Sequence, residues 1–513
     1  MVAEKSKNGW LTLIIVTLSV FTIVIDKTFL NVAIYTLIKD LGTTIQTIQA
    51  IIAIYSLVMA SLMLFGGKLQ EVFGRKKTFL MGASIYGAGT IVAALSINST
   101  MLLLGWSILE GVGAALMMPA TTSIISGTYG GEKRAFALGI ISSMASGAGT
   151  IGPIIGGFLT TYYSWRYAFA LELVIIIAIL LFSKEIDVFP PVIKWREIDV
   201  LGAVNSSVGI FLLVVGVLLL NSPSSWNTAI LSIIIGIILL IIFYFTQKRR
   251  IEGNKMPLLD ITLFKDHSFT LGNISRMIMN FTIGGVTFII PVFLQGVIGT
   301  NPLVTGLTLI PMSIGIFTMS FTAGKVSTRM QPRYILSIGF LASLAGSIYL
   351  SLIFSPFTTV MDMIPGVLFL GIGMGIVFPH SANIIFAAAR QDQQPDASGI
   401  LNTGINLGSS LGTAVLGVIL ILGSFGTLGG GSMYDLPASD SYGTNNHGWF
   451  EKVNAANIPT IKETGVTEDH QKANAMKDAF NVVTLMLIIG LISSLLIPIK
   501  PTKHEEHCVT THI

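Results

Sequence analysis

The chain has 513 residues, of which 52% are hydrophobic and only 11% charged, with a mean hydropathy of +0.77. A water-facing surface needs about 25% charged residues, which excludes a string of soluble domains and also a soluble enzyme on a membrane anchor. The net charge of +4 is small and unevenly spread, and a lone cysteine, Cys508, leaves no intramolecular disulfide.

A membrane-spanning helix needs about 20 mostly apolar residues. In chain order such runs occur near 10–34, 44–66, 78–97, 101–126, 135–161, 166–184 and 198–221, then 226–247, 268–295, 303–324, 334–354, 361–388, 398–423 and 479–499. The first, from Trp10, is too long for a signal-peptide core and no small-residue cleavage site follows it, so it is expected to stay as a span. The 53 glycines suit helices that pack closely in lipid.

Lysine and arginine set the orientation. Alternate connections carry Lys68, Arg75, Lys76 and Lys77, then Lys133 and Arg134, then Lys184, Lys194 and Arg196. The same side receives Lys248, Arg249, Arg250, Lys255 and Lys265, then Lys325, Arg329 and Arg333, and finally Arg390. The short connections between them, such as 97–100, 222–226, 296–302 and 355–359, carry none. The basic side is expected to be cytoplasmic, with both termini inside and fourteen spans. The fold class is therefore an all-α membrane protein.

One outer connection is long. About 425–477 is polar, opens with Gly429-Gly430-Gly431, and reads as a mobile extracellular loop, a hairpin lying on the outer face, or a docking element for a partner. The tail, 500–513, follows the last span. Its His504, Glu505, Glu506, His507 and Cys508 fit no closed metal site, and no metal is expected.

The chain also repeats itself. Gly67-Lys68 after the second span and Gly324-Lys325 after the tenth stand at an offset of about 256 residues, as do Gly152 and Gly408. Two six-span halves, 1–184 and 268–499, are thus expected to flank an inserted pair within 185–267. Paired halves with a site at their interface are the architecture of alternating-access transporters.

In this order and spacing the motifs resemble the major facilitator superfamily, and more narrowly its fourteen-spanner drug:proton antiporter branch. Gly67 to Lys77 is similar to the superfamily's inner-loop signature, and Gly152-Pro153-Ile154-Ile155-Gly156-Gly157 to the fifth-span antiporter signature. Asp26-Lys27-Thr28-Phe29-Leu30-Asn31-Val32-Ala33 resembles the branch's first-span motif, and Trp165-Arg166-Tyr167 and Pro257-Leu258-Leu259-Asp260 are also familiar from it. The departures are specific. Glu71 replaces the usual aspartate, Tyr35 a proline, Ala148 the first glycine of the fifth-span signature, and Glu172 an asparagine. The fourth span reads Ser107-Ile108-Leu109-Glu110-Gly111, so the usual buried arginine is absent and a glutamate stands in the glutamine position. The resemblance implies a major facilitator fold and a divergent subgroup with rearranged coupling residues.

A charge at the centre of a span costs about 2.5–3.5 kcal/mol on insertion scales. The spans contain Asp26, Lys27, Glu110, Glu172 and Arg276, with His380 as a neutral candidate. Counting at about 1.5 Å per residue sets Glu110 roughly 13 Å from the outer end of its span. Asp26, Glu110 and Glu172 are the candidates for taking up protons and binding a cationic substrate, and Arg276 for their counterpart in the second half. Adjacent helical positions point about 100° apart, so Lys27 is expected to face away from Asp26, outward or to another partner. Asn31 and His380 are weaker candidates, the latter as a hydrogen-bonded histidine. By resemblance, Glu71, Arg75 and Lys76 hold one access state closed, with Gly67 and Gly74 making a tight turn. Gly152 and Pro153 are expected to bend the fifth span, and Gly156 and Gly157 to let it pack closely.

No phosphate-binding loop, hydrolytic triad or nucleic-acid-binding motif is present, so no nucleotide, nucleic acid or cofactor is expected and no enzyme activity. The expected function is a proton-coupled exporter of small hydrophobic, cationic compounds in a prokaryotic cytoplasmic membrane, with the substrate, protons and the lipid bilayer as its partners. Export of a specific metabolite, lipid, fatty acid or amino acid is the alternative. A non-transporting sensor or scaffold docking through the long outer loop is the rival of another class.

Overall fold

The computed structural model describes residues 9–129, 131–191, 193–326, 330–390, 393–425 and 460–498. The described residues are helical with no strand. The long helices are α1 (Gly9–Phe29), α2 (Ile45–Phe73), α3 (Arg75–Ala94), α4 (Ser99–Thr128), α5 (Gly131–Tyr162), α6 (Arg166–Leu181) and α7 (Val200–Leu219). Then come α8 (Trp226–Glu252), α9 (His267–Gly296), α10 (Pro302–Val326), α11 (Pro332–Ile353), α12 (Val360–Ala388), α13 (Gln394–Phe425) and α14 (Thr460–Leu495). A short helix, Ile34–Asp40, follows α1.

Local chemistry sets where they begin. The Asp266 carboxylate caps α9 by accepting from the amides of Ser268 at 2.7 Å and Phe269 at 3.1 Å. Asn98 caps α4 through the Met101 amide at 2.8 Å, and Thr359 and Asp362 form a capping box at the head of α12. Twelve helices among the described residues are long and apolar enough to cross a membrane. The other two, α3 and α5, are 20 and 32 residues long but open with charged residues and are rich in glycine, serine and alanine.

Two expectations are corrected. The second span was placed at 44–66, yet α2 continues to Phe73, because Leu69 and Gln70 find buried positions one turn beyond the apolar run. Gly67 is therefore helical and makes no turn. The turn belongs to Gly74 alone, at φ +87°, where a β-carbon would stand 2.6 Å from the Phe189 carbonyl oxygen. The last helix was expected from 479, but α14 begins at Thr460, so the final third of the long connection is helical. The readings for the rest of that connection, and those for the tail, lie outside the described residues.

The contacts sort the helices into two sets. α1–α6 pack through α1–α5, α3–α4, α2–α4 and α3–α6, and α9–α14 through α9–α13, α11–α12, α10–α12 and α11–α14. Two seams join the sets, α2 against α13 and α5 against α10. α7 and α8 pack on each other, with α7 also lying on both α2 and α13. In its most apolar stretch α8 is only 17% buried against 83% for α9, so α8 is peripheral and α9 central.

Away from the lysine and arginine connections, hydrogen bonds bridge the two sets. The Gln49 amide nitrogen donates to the carbonyls of Thr413 at 3.1 Å and Ala414 at 2.9 Å, and Ser410 donates to Ala53 at 2.7 Å. Gln295 donates to the Val32 carbonyl at 2.7 Å, and the Leu303 amide to Thr161 at 3.1 Å. At the basic face the sets meet through the ion pair of Lys68 with Asp396.

Candidate functional site: a buried carboxylate cluster

Asp26 on α1, Glu110 on α4 and Glu172 on α6 converge. One carboxylate oxygen from each lies within 4.8 Å of the others, and all three side chains are buried. The route by which Glu110 arrives is local. Residues Leu103–Glu110 form a π-helical stretch, which widens the turn and ends at Glu110 itself. Gly89 on α3 supplies the room. A β-carbon there would stand 2.6 Å from the Gly105 carbonyl oxygen and 2.8 Å from the Glu110 γ-carbon, so only glycine lets α3 and α4 approach with Glu110 between them.

Three aromatic residues enclose the cluster. The Trp106 indole nitrogen donates to Asp26 Oδ1 at 2.7 Å, and the Tyr86 hydroxyl donates to Glu172 Oε2 at 3.4 Å. Tyr55 of α2 stacks flat on Trp106, with ring centroids 4.9 Å apart at 9°. The remaining carboxylate oxygens, Asp26 Oδ2, both of Glu110 and Glu172 Oε1, have no hydrogen-bond partner, and neither has the Tyr55 hydroxyl. Among the described residues no ion pair reaches any of the three acids.

The cations lie elsewhere. Lys27 turns away from Asp26, passes 5.8 Å from the Tyr55 ring centroid and donates to the Asn406 side-chain oxygen on α13, crossing between the two sets of helices. Arg276 of α9 sets its guanidinium 4.3 Å from the Phe378 ring on α12, within its own set, and not beside the acids. Asn31 is used locally, donating to the Lys27 carbonyl at 3.1 Å. His380 Nδ1 lies 2.8 Å from the Ile376 carbonyl oxygen one turn earlier.

The residues of the inner-loop motif act separately from one another. Arg75 donates to the Ser123 carbonyl at 2.7 Å and lies over Phe189, and Lys76 donates to the Ile186 carbonyl at 2.8 Å. Both stay within the first set and its following connection. Glu71 pairs with Lys68 at 3.2 Å, and Lys68 carries the link across to Asp396 at 3.5 Å. Asp396 in turn accepts from the Asp260 amide at 3.2 Å. Burial works to raise the Asp260 carboxyl, but hydrogen bonds from Thr262 and Gln393 outweigh it and hold the group below the ordinary carboxylate range.

Pro153 lies inside α5, with the motif's glycines spread along that helix. The face with Gly156 packs on Phe29 of α1, and Gly157 meets the backbone of Pro302 and Leu303 on α10. Through these glycines the segment packs against both sets.

Sequence reading missed Trp106, Tyr55 and Tyr86 around the acids and Asn406, Lys68 and Asp396 across the sets. Asp396 was the most accessible of these, as an acid in a connection otherwise marked by Arg390.

The model of the Major Facilitator Superfamily matches residues 16–197 and 186–413. The methylenomycin A resistance protein of Bacillus subtilis is 26% identical over 430 residues, covering 83% of this chain and 91% of that protein. The methyl viologen resistance protein SmvA of Salmonella typhimurium is 29% identical over 415 residues, covering 80% and 82%. The riboflavin transporter RibZ of Clostridioides difficile is 26% identical over 411 residues, covering 80% and 87%. A solved bacterial homologue of the human lysosomal transporter Spinster, inward-facing and unoccupied, superposes with a TM-score of 0.62 at 15% identity over 96% of this chain and 97% of that one. The peptide transporter POT in complex with sulfate gives 0.62 at 15% over 94% of each. At that identity the two structures show the fold alone. The chain is a multi-pass membrane transporter for small molecules, not an enzyme, and belongs to the Major Facilitator Superfamily.

Proposed function

We propose that the chain is a proton-coupled exporter of small hydrophobic, cationic compounds, of the fourteen-spanner drug:proton antiporter type, working by alternating access in a prokaryotic cytoplasmic membrane. In this reading α3 and α5 also cross the bilayer and both termini are cytoplasmic. The halves are 1–184 and 268–499, with α7 and α8 as the inserted pair.

The carboxylate cluster carries the proposal. Two ionised carboxylate oxygens within 4.8 Å of each other repel by at least roughly 3 kcal/mol at an effective dielectric of about 20. Three such groups with no paired cation cannot all be charged together, so the cluster exchanges protons as its surroundings alternate. The resistance proteins among the relatives support the direction of transport, and the methyl viologen resistance protein among them supports a cationic cargo.

The test is efflux of ethidium from proteoliposomes under an imposed pH gradient, comparing wild type with Glu110→Gln and Asp26→Asn. Gradient-driven efflux that is lost in one variant supports antiport and identifies a coupling acid. A folded wild type that moves no ethidium under the gradient sinks the cationic-cargo reading.

One observation favours the alternative of an anionic metabolite, lipid or fatty acid as cargo. The acids are sealed behind Tyr55 and Trp106, whereas Lys27 reaches across between the sets and Arg276 is only partly buried. Under this reading the acids serve protons only, and Arg276→Gln abolishes transport of an anionic amphiphile while proton uptake persists.

A further inference from the structure

We propose that the Asp26–Glu110–Glu172 cluster binds one hard divalent cation of about the size of Ca2+, in competition with protons, with the Tyr55 hydroxyl as a fourth oxygen. The inference rests on reading this cluster as the coupling site and names a second ion that occupies it.

The geometry suits such an ion. Ca2+ takes oxygen ligands at about 2.3–2.6 Å, so any two oxygens around it stand at most about 4.6–5.2 Å apart. The three carboxylates offer oxygens within 4.8 Å of one another, from three different helices. Four of their six oxygens have no partner, although the side chains are between 0% and 1% exposed. Leaving a buried acceptor unsatisfied is costly, and four such oxygens on three converging side chains give the cluster spare ligand capacity.

Tyr55 provides an independent observation. Its side chain is 1% exposed and its hydroxyl makes no well-formed hydrogen bond, yet it lies against Asp26 and within electrostatic reach of Glu110 and Glu172. Carboxylate and hydroxyl oxygens without nitrogen or sulfur favour hard cations over zinc or copper.

The charged and titratable groups around the centre fit the same reading. α1 contributes Asp26 and Lys27, α2 Tyr55, α3 Tyr86, α4 Glu110 and α6 Glu172. The single cation among them, Lys27, lies within electrostatic reach of Asp26 but donates to Asn406 and makes no ion pair with the acids. Protons and a divalent cation then compete for the same oxygens, so occupancy by the metal falls as pH falls.

The experiment is calorimetric titration of the full chain in detergent with Ca2+ and with Mn2+, at neutral and at acid pH. One equivalent bound at neutral pH, weakened on acidification and weakened at least about tenfold in Glu110→Gln and Glu172→Gln, supports the site. Folded wild type that binds neither ion, or binding unchanged in both variants, overturns it. Tb3+ luminescence excited through tryptophan covers the case in which the glutamine variants fail to fold. Sensitised emission in wild type that Ca2+ displaces and that Trp106→Phe loses supports the site, and no sensitised emission overturns it. Wild type that binds neither ion in the titration yet still drives ethidium efflux under the pH gradient rejects this inference alone and leaves the proton-exchange reading standing.

Discussion

Lys68 on α2 lies 3.5 Å from Asp396 on α13, and this pair joins the two sets of helices at the basic face. Lys68 also holds Glu71 at 3.2 Å, so one ammonium serves two carboxylates. At the far end of the same seam, Gln49 bonds the Thr413 and Ala414 carbonyls. The α2–α13 seam is thus fastened at both ends, and movement of one set against the other must release at least one fastening.

On the alternating-access reading, breaking the ionic fastening is expected to shift the balance between access states. Both side chains are mostly buried, at 14% and 20% exposed, so loss of the pair is worth about 1–2 kcal/mol, or roughly 5–30-fold in the ratio of states. Lys68→Ala is expected to raise labelling of cysteines placed along the seam by that order. The double swap Lys68→Asp with Asp396→Lys is expected to restore the wild-type labelling, and a swap that behaves like the single change counts against an ionic role.

Trp106→Phe removes the donor to Asp26 Oδ1 and keeps a ring for Tyr55 to stack on. A lost hydrogen bond to a charged or ionisable partner costs about 1.5–3 kcal/mol. The expected result is a shifted pH dependence of coupled efflux with protein expression intact. An unchanged pH profile would show that the indole only fills space.

Gly89→Ala tests the close approach of α3 and α4. The added methyl group meets the Gly105 carbonyl oxygen at 2.6 Å, a backbone atom that cannot rotate away. Overpacking of this kind costs about 1–3 kcal/mol. Lower thermal stability is expected, together with loss of coupled efflux as Glu110 is displaced. Wild-type melting and transport together would contradict the geometry.

Asp260 predicts a pH dependence at the basic face. Its carboxyl is held below the ordinary value of 3.8 by Thr262 and Gln393. A depressed carboxylate contributes stability above the unfolded-state value and loses it as pH falls through the folded-state value. Melting of wild type should therefore lose this contribution only below pH 3.8. Asp260→Asn should be less stable than wild type at neutral pH, with the difference narrowing in acid. A gap that widens on acidification would reverse the assigned sign.

Much of the helical layout was legible because spans in lipid must be apolar and their connections polar. α9 and α12 start within a residue of the apolar runs that foretold them. Boundaries failed where another force took over. α2 runs past its apolar stretch to Gly74, which can adopt the left-handed backbone, and α14 begins in a polar segment with no hydropathy signal. The individual acids stood out as charges inside apolar runs. Their meeting did not, because it depends on the rotation of three helices and on the π stretch that ends at Glu110. The partners of Lys27 and Lys68 lie 379 and 328 positions away, in Asn406 and Asp396, beyond any local pattern.

The placement of α7 has a consequence for how a greasy molecule meets this protein. α7 covers the α2–α13 seam on its lipid side, with Ser207 bonded to the Ser61 carbonyl at 2.6 Å and Asn221 to Gln49 at 3.1 Å. Neither α7 nor α8 packs in this way on the α5–α10 seam. The two flanks of the bundle are therefore unequal as doorways. A solute dissolved among the acyl chains finds one flank shuttered by an additional helix. The opposite flank, where α5 meets α10 beside the glycines of α5, has no such covering helix among the described residues.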